Sequence, residues 1–385
     1  MAIVIDYTSG FFEATPSGET VGSITGNATL DLTSGNVFSH TPTANTTFAF
    51  SNPPASGTAI DFTLKVTGAN LASGYDLANA SYDSVSFSVA SQDNTPAGLA
   101  FNNSGTKMYI VGLTSDSVFQ YSLSTAFDLS TASYDSVSFS VSSQDTVPIE
   151  VIFNNAGTKM YIVGNATDTI YQYSLSTAFD LSTASYDSVS FSVSSQESSL
   201  YGMNFNNDGT KMYVIGGASK SVFQYSLSTA FDLSTASYDS VSFSVSSQDI
   251  FPYQMVFNSD GTKMYIVGNS SDTVYQYSLS TAFDVSSASY DSVSFGVSSQ
   301  DTSPLGIVFN SDGTKMYIVG ASNDAVYQYT TGSSALATIT YPSSVKWAGG
   351  TAPTAPDNGE TDVYTFFTTD NGTTYYGFQV GDALA

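Results

Sequence analysis

One five-residue string, Gly-Thr-Lys-Met-Tyr, begins at Gly105, Gly157, Gly209, Gly261 and Gly313, so the same unit returns every 52 residues without drift. A chain that repeats at a fixed period of this size must stack or close copies of one supersecondary unit, because a single copy cannot bury its own apolar face. The unit reads as β-structure throughout. Tyr134 to Val141 alternates Ser with Val137, Phe139 and Val141, the period of a strand with one buried face. Pro148 to Phe153 is a second strand, and Asn154-Asn-Ala-Gly157 is a tight turn of residues that tolerate a left-handed backbone. Lys159 to Gly164 is a third strand, Asn165 to Asp168 turns again, and Thr169 to Leu175 is the fourth. No segment places apolar residues at helical spacing.

Four short antiparallel strands per repeat predict the blades of a propeller. The repeat region opens with a strand of the Tyr134 type, Tyr82 to Val89, and ends on Val326 to Tyr329 with no such strand after it. The leading strand is therefore expected to complete the final blade, which removes the open edges of a ring. The fold class expected is all-β: a five-bladed β-propeller closed by a swapped strand and inserted in a split β-sandwich-like domain. An open β-solenoid is the competing architecture. The unit resembles propeller repeats of the YVTN type, best in Phe205-Asn-Asn-Asp-Gly-Thr-Lys-Met-Tyr213, over residues 75 to 330. That resemblance implies the fold and leaves function open, since propellers host many activities.

The flanks differ from the repeats. Leu30 to Phe38, Asn45 to Gly57 and Phe62 to Val66 on one side, with Thr338 to Pro353, Asp362 to Asp370 and Tyr375 to Phe378 on the other, together resemble a module found near the ends of phage tail and fibre proteins. In that family a short connection joins the two halves, whereas here the whole repeat region sits between them. The division expected is residues 1–20 as an N-terminal arm, 21–70 plus 334–385 as the split domain, and 71–333 as the propeller. Phe62 to Val66 and Ala337 to Tyr341 alternate apolar with Thr or Lys, as hairpin partners would.

Charge narrows the function classes. Charged residues make up 11% of the chain, against about 25% in a typical domain. With 33 acidic residues, 8 lysines and no arginine, the net charge is −25. Nucleic acid and anionic membrane are unfavourable partners, because neutralising phosphate needs clustered basic groups. There is no cysteine, hence no disulfide or thiolate site. Met1 to Tyr7 lacks the pattern of a Sec-type signal, and no apolar run reaches the 18 residues of a membrane span. An extracellular-looking composition without a secretion signal fits release by lysis, so a virion surface is the expected location.

Catalysis is not expected. His40 is the single histidine and lies in a flank, and the inner strands offer one carboxylate, Glu150, where metal-dependent propeller lactonases gather several ligands. The repeating Asp83, Asp135, Asp187, Asp239 and Asp291 supply one carboxylate per blade, too few for a Ca²⁺ cage, and read as turn chemistry. Lys107, Lys159, Lys211, Lys263 and Lys315 read as solvated lysines. No metal and no cofactor are expected.

The copies disagree in two connections only, and alternation of turns puts both on one face. One set runs Asp93 to Ala97, Asp145 to Glu150, Glu197 to Tyr201, Asp249 to Gln254 and Asp301 to Leu305. The other runs Leu113 to Ser117, Asn165 to Thr169, Gly217 to Ser221, Asn269 to Thr273 and Ala321 to Ala325. Candidate ligand contacts there are Tyr201, Phe251 and Tyr253 for stacking on sugar rings, Glu150, Gln254 and Lys220 for polar contacts, and Leu305. The function expected is a phage tail fibre or receptor-binding protein whose propeller meets a host-surface glycan or protein. A capsid decoration or head-fibre protein and a bacterial surface adhesin or filament subunit are the alternatives. Expected partners are other virion proteins through the split domain and further copies of the chain, a trimer by analogy with viral appendages.

Overall fold

A computed structural model describes residues 28–42, 45–68, 70–357 and 359–384, together with the two-residue strands Val4–Ile5, Phe12–Glu13 and Ile24–Thr25. Apart from the first two of those strands, the expected arm lies outside the described residues. The chain divides into two compact units, residues 1–72 with 334–385, and residues 73–333.

The second unit is a five-bladed propeller. Its first blade pairs Pro96–Phe101, Lys107–Gly112, Ser117–Leu123 and Ala132–Ser140 in chain order, all antiparallel, and the pattern recurs in the next three blades. The fifth blade takes Pro304–Phe309, Lys315–Gly320 and Ala325–Thr330 from the end of the region and Ser81–Ser88 from its start. The ring is therefore closed by strand exchange, and the sequence repeat is offset from the blade by one strand. Each outer strand carries a bulge. Ser136 sits at φ 58° where the register slips between Tyr134 and Val137, and this explains why the alternation stretches to three residues there.

The seams between blades repeat one design. The Tyr109 hydroxyl donates to the carbonyl of Phe179 in the next blade (2.5 Å), and Tyr161, Tyr213, Tyr265 and Tyr317 do the same to Phe231, Phe283, Tyr75 and Phe127. The last of these crosses from the fifth blade to the first. A one-turn 3-10 helix, Leu181–Thr183 in the second blade, follows each clasp, capped by the Asp180 side chain and burying Leu181. Sequence periodicity is silent on a turn this short.

The repeating lysines and aspartates are not solvated side chains and turn formers. Lys159 Nζ lies 2.5 Å from Asp187 Oδ2, and the other four pairs, Lys107–Asp135, Lys211–Asp239, Lys263–Asp291 and Lys315–Asp83, lie within 3.2 Å. Gln172 Nε2 donates to the same Asp187 oxygen, and its Oε1 accepts the Leu233 N–H of the next blade. Burial by itself would raise the Asp187 carboxyl, but the donors Lys159, Ser174 and Gln172 outweigh it and hold the group below its ordinary value. Sequence cannot see this, because the partners are 28 residues apart and meet only once Thr169–Leu175 has paired with the strand on each side of it.

The first unit holds a five-stranded sheet in the spatial order Val345–Trp347, Tyr375–Leu384, Thr361–Thr368, Ile60–Thr67 and Val37–His40. One face buries Phe38, Phe62, Leu64, Val66, Tyr364, Phe366 and Tyr375 against Leu30, Leu32 and Phe48. Phe62 to Val66 and Ala337 to Tyr341 are not hairpin partners. Ile60–Thr67 pairs with Thr361–Thr368, while Ile339–Thr340 pairs in parallel with Thr46–Thr47. Alternation alone fixes which face of a strand is buried and leaves its neighbour open.

Candidate functional site

The two varied connections are built on a fixed frame. Asp145, 3% exposed, accepts hydrogen bonds from the N–H groups of Val147, Ala166 and Thr167 and from the Thr167 hydroxyl, so it pins the incoming loop to the turn at residues 165–168. Asp93, Glu197, Asp249 and Asp301 do the same in the other blades. Charge-assisted bonds to several backbone donors hold a loop whatever its other residues are. In the sequence these acids stand only as the first residues of the varied loops, although an acidic residue returns at the same place in every copy.

The candidate residues divide into four groups. Ile250 and Phe251 are 55% and 50% exposed, the two large apolar side chains presented at the propeller surface among the described residues. Two positions on, Tyr253 stacks flat against Tyr201 with ring centroids 4.4 Å apart and planes 8° from parallel. The two rings cover one another, Tyr201 also lies against Gly217, and burial raises the Tyr253 hydroxyl far above its ordinary value. Lys220 occupies the left-handed position (φ 54°) that Asp116, Asp168, Asp272 and Asp324 fill in the other blades.

Glu150 and Gln254 are not on that face, and Leu305, at the strand position of Tyr201 and Tyr253, is buried. Leu305 is 5% exposed. Glu150 and Gln254 point into the propeller axis at the third position of their inner strands, where the remaining blades carry Gly98, Gly202 and Gly306. A Cβ at Gly98 would stand 2.6 Å from the Glu150 Cα, and one at Gly306 would stand 2.7 Å from the Ala97 carbonyl oxygen. The glycines thus let the strands close to where two long side chains span the ring. Glu150 Oε2 accepts the Met203 N–H at 2.6 Å, Oε1 accepts from Gln254 Nε2, and Gln254 Oε1 accepts the Ile307 N–H. Four blades are joined across the axis by this chain of bonds.

Below it lies a cavity of about 160 Å³, lined by Leu99, Val151, Val256, Asn204 and Asn103 along with the two polar residues. Burial pushes the Glu150 carboxyl up to about 8, only partly offset by its Met203 and Gln254 donors. Chemically this is a plug. The carboxyl spends both oxygens on protein amides, and the inner strands bring no nucleophile or second carboxyl to it. His40 lies in the other unit, its ring 5.3 Å from Phe48, with burial lowering its pKa. Among the described residues no group of three or more His, Asp or Glu gathers as a metal site.

No family model matches the chain, and no curated protein matches it. Solved structures similar to it include a provisionally assigned 6-phosphogluconolactonase from Bacteroides uniformis, 12% identical with a TM-score of 0.39 over 74% of this chain and 71% of that one. A functionally unknown protein from Desulfotomaculum acetoxidans is similar at 10% identity and a TM-score of 0.38, over 74% of this chain and 89% of that one. Similarity at this level carries no argument about activity, and the propeller stands on its own strand pairing.

Proposed function

We propose that this chain is a non-enzymatic surface protein of a bacteriophage particle, whose propeller presents its varied face to a host-surface glycan or protein. The observation that carries the reading is the exposed Ile250–Phe251 step beside the Tyr201–Tyr253 stack, on the face where otherwise near-identical blades differ. An aromatic ring held open to solvent on a rigid frame is suited to stacking on a sugar ring or filling a partner's pocket at little entropic cost. The braced loops, the clasped seams and the plugged axis support a scaffold built to hold such a surface still. The virion part rests on the resemblance of the two flanking segments to the terminal module of phage tail and fibre proteins.

The test uses the full chain. Ile250→Ser with Phe251→Ser is expected to weaken adsorption to host cells, or binding on a glycan array, at least about tenfold, with the melting temperature unchanged. Undiminished adsorption would remove the face from consideration. The copy number in purified particles, by quantitative mass spectrometry, separates a tail location (a handful) from a capsid one (hundreds), and absence from particles ends the virion reading.

A further inference from the structure

In the first unit, the sheet face opposite the core carries the other exposed large apolar side chains among the described residues. These are Phe367, Tyr376, Phe378, Val380 and Leu384, between 38% and 62% exposed. Their rings are already ordered: Phe367 stacks on Tyr376 at 5.0 Å and runs within 7° of parallel to Phe378 at 6.2 Å. A cluster of this kind on a sheet marks a surface that meets another molecule.

Strand register gives the face a pattern of charge. Lys346 lies opposite Tyr376, Tyr376 opposite Phe367, and Phe367 opposite Asp61, so one row across four strands reads cation, aromatic, aromatic, anion. Adjacent strands are about 4.8 Å apart, which makes the row about 14 Å long. A two-fold axis lying in the face, parallel to the strands and between Tyr376 and Phe367, reverses the row. It lays Lys346 of one copy against Asp61 of the second, twice over, with Tyr376 above Phe367 between them. The next row, Phe378, Thr365 and Thr63, carries no charge to oppose this. In a chain of net charge −25 most surfaces repel their own copies, and this row is self-complementary.

We infer that the outer face of this sheet is the interface of a two-fold dimer of the chain, two sheets packed through the Lys346–Tyr376–Phe367–Asp61 row. The inference is independent of the proposed recognition role of the propeller. The face is roughly 20 by 20 Å, about half of what a standard-size interface buries on each side, so the dimer is expected to form in the micromolar range.

Sedimentation velocity of the full chain from about 1 to about 500 µM tests it. The expected result is a monomer–dimer transition inside that range. Tyr376→Ser with Phe378→Ser should abolish it. Lys346→Asp and Asp61→Lys should each raise the Kd at least about tenfold, and the two together should restore it. All four residues are at least partly exposed, and an unchanged melting temperature confirms folding. A monomer at every concentration would overturn the inference and give the face to a different partner. So would a dimer indifferent to the serine pair, a different stoichiometry such as a trimer, or a double charge variant as weak as the single ones.

Discussion

Replacing Glu150 by glutamine is expected to stabilise the protein at alkaline pH and to leave it nearly unchanged near pH 4, an inversion of what removing a native carboxylate usually does. The reason is the axis plug. The carboxyl is fully enclosed, its donors are neutral amides, and its pKa rises from the ordinary 4.5 to about 8. A carboxyl whose folded pKa is raised contributes stability that is complete below its unfolded pKa and is lost as pH climbs through the folded value. The native chain should therefore lose stability from about pH 4.5 to about pH 8 relative to Glu150→Gln, whose amide keeps an acceptor for the Met203 N–H without a charge. The gap should reach on the order of 3–5 kcal/mol near pH 9. Urea unfolding of both proteins across this range reads it as a difference of midpoints, in which the many surface carboxylates cancel. Parallel curves would mean that the carboxyl is solvated and the axis open.

A second substitution should have an effect of comparable size and opposite sign, at any pH. Gly157 holds φ +67°, and a Cβ there would lie 2.2 Å from the Phe179 ring. Gly157→Ala therefore meets two penalties. The left-handed backbone costs about 1–2 kcal/mol. The displaced ring also moves the segment whose carbonyl accepts the Tyr109 hydroxyl, loosening the seam between the first and second blades. Together these should cost about 3–5 kcal/mol. Gly296→Ala is the matched control: it lies in an outer strand, has no heavy atom within 4 Å of the added methyl, and replaces a residue that is Ser in the four sister blades. It should change stability by no more than about 0.5 kcal/mol. A Gly157→Ala protein as stable as the control would contradict the clasp.

The ring and its closing strand were legible because both follow from counting. Five identical strings set the blades, and a strand type present before the first string and missing after the last sets the closure. The varied face was legible for a similar reason, since turns alternate between the two faces of an up-and-down sheet. The interior was not. Inner strands are buried on both sides, so alternation does not say which of Ile149 and Glu150 turns to the axis, and Gln254 met Glu150 only because they sit two blades apart in a closed ring. The five Lys–Asp pairs and the five bracing acids were missed for the opposite reason. A polar residue that recurs unchanged reads as surface when its partner is far away in sequence. Where the repeat stops, the reading weakens too, as the mispaired Phe62 to Val66 segment shows.

Closure of the ring is the claim on which the sealed axis, the fixed seams and the single varied face all depend. The chain has no cysteine, so one introduced pair reports one distance. Ser88 and Ala325 are register partners across the closing strand, just as Ser192 and Thr169 are within the second blade. Paired positions of this kind fall within disulfide reach, about 4.4–6.8 Å between Cα atoms. Under mild oxidation Ser88→Cys with Ala325→Cys should form an intramolecular disulfide as fast and as completely as Ser192→Cys with Thr169→Cys, at any protein concentration. A pair that stays reduced, or that joins separate chains while the internal control closes, would show that the leading strand does not complete the fifth blade.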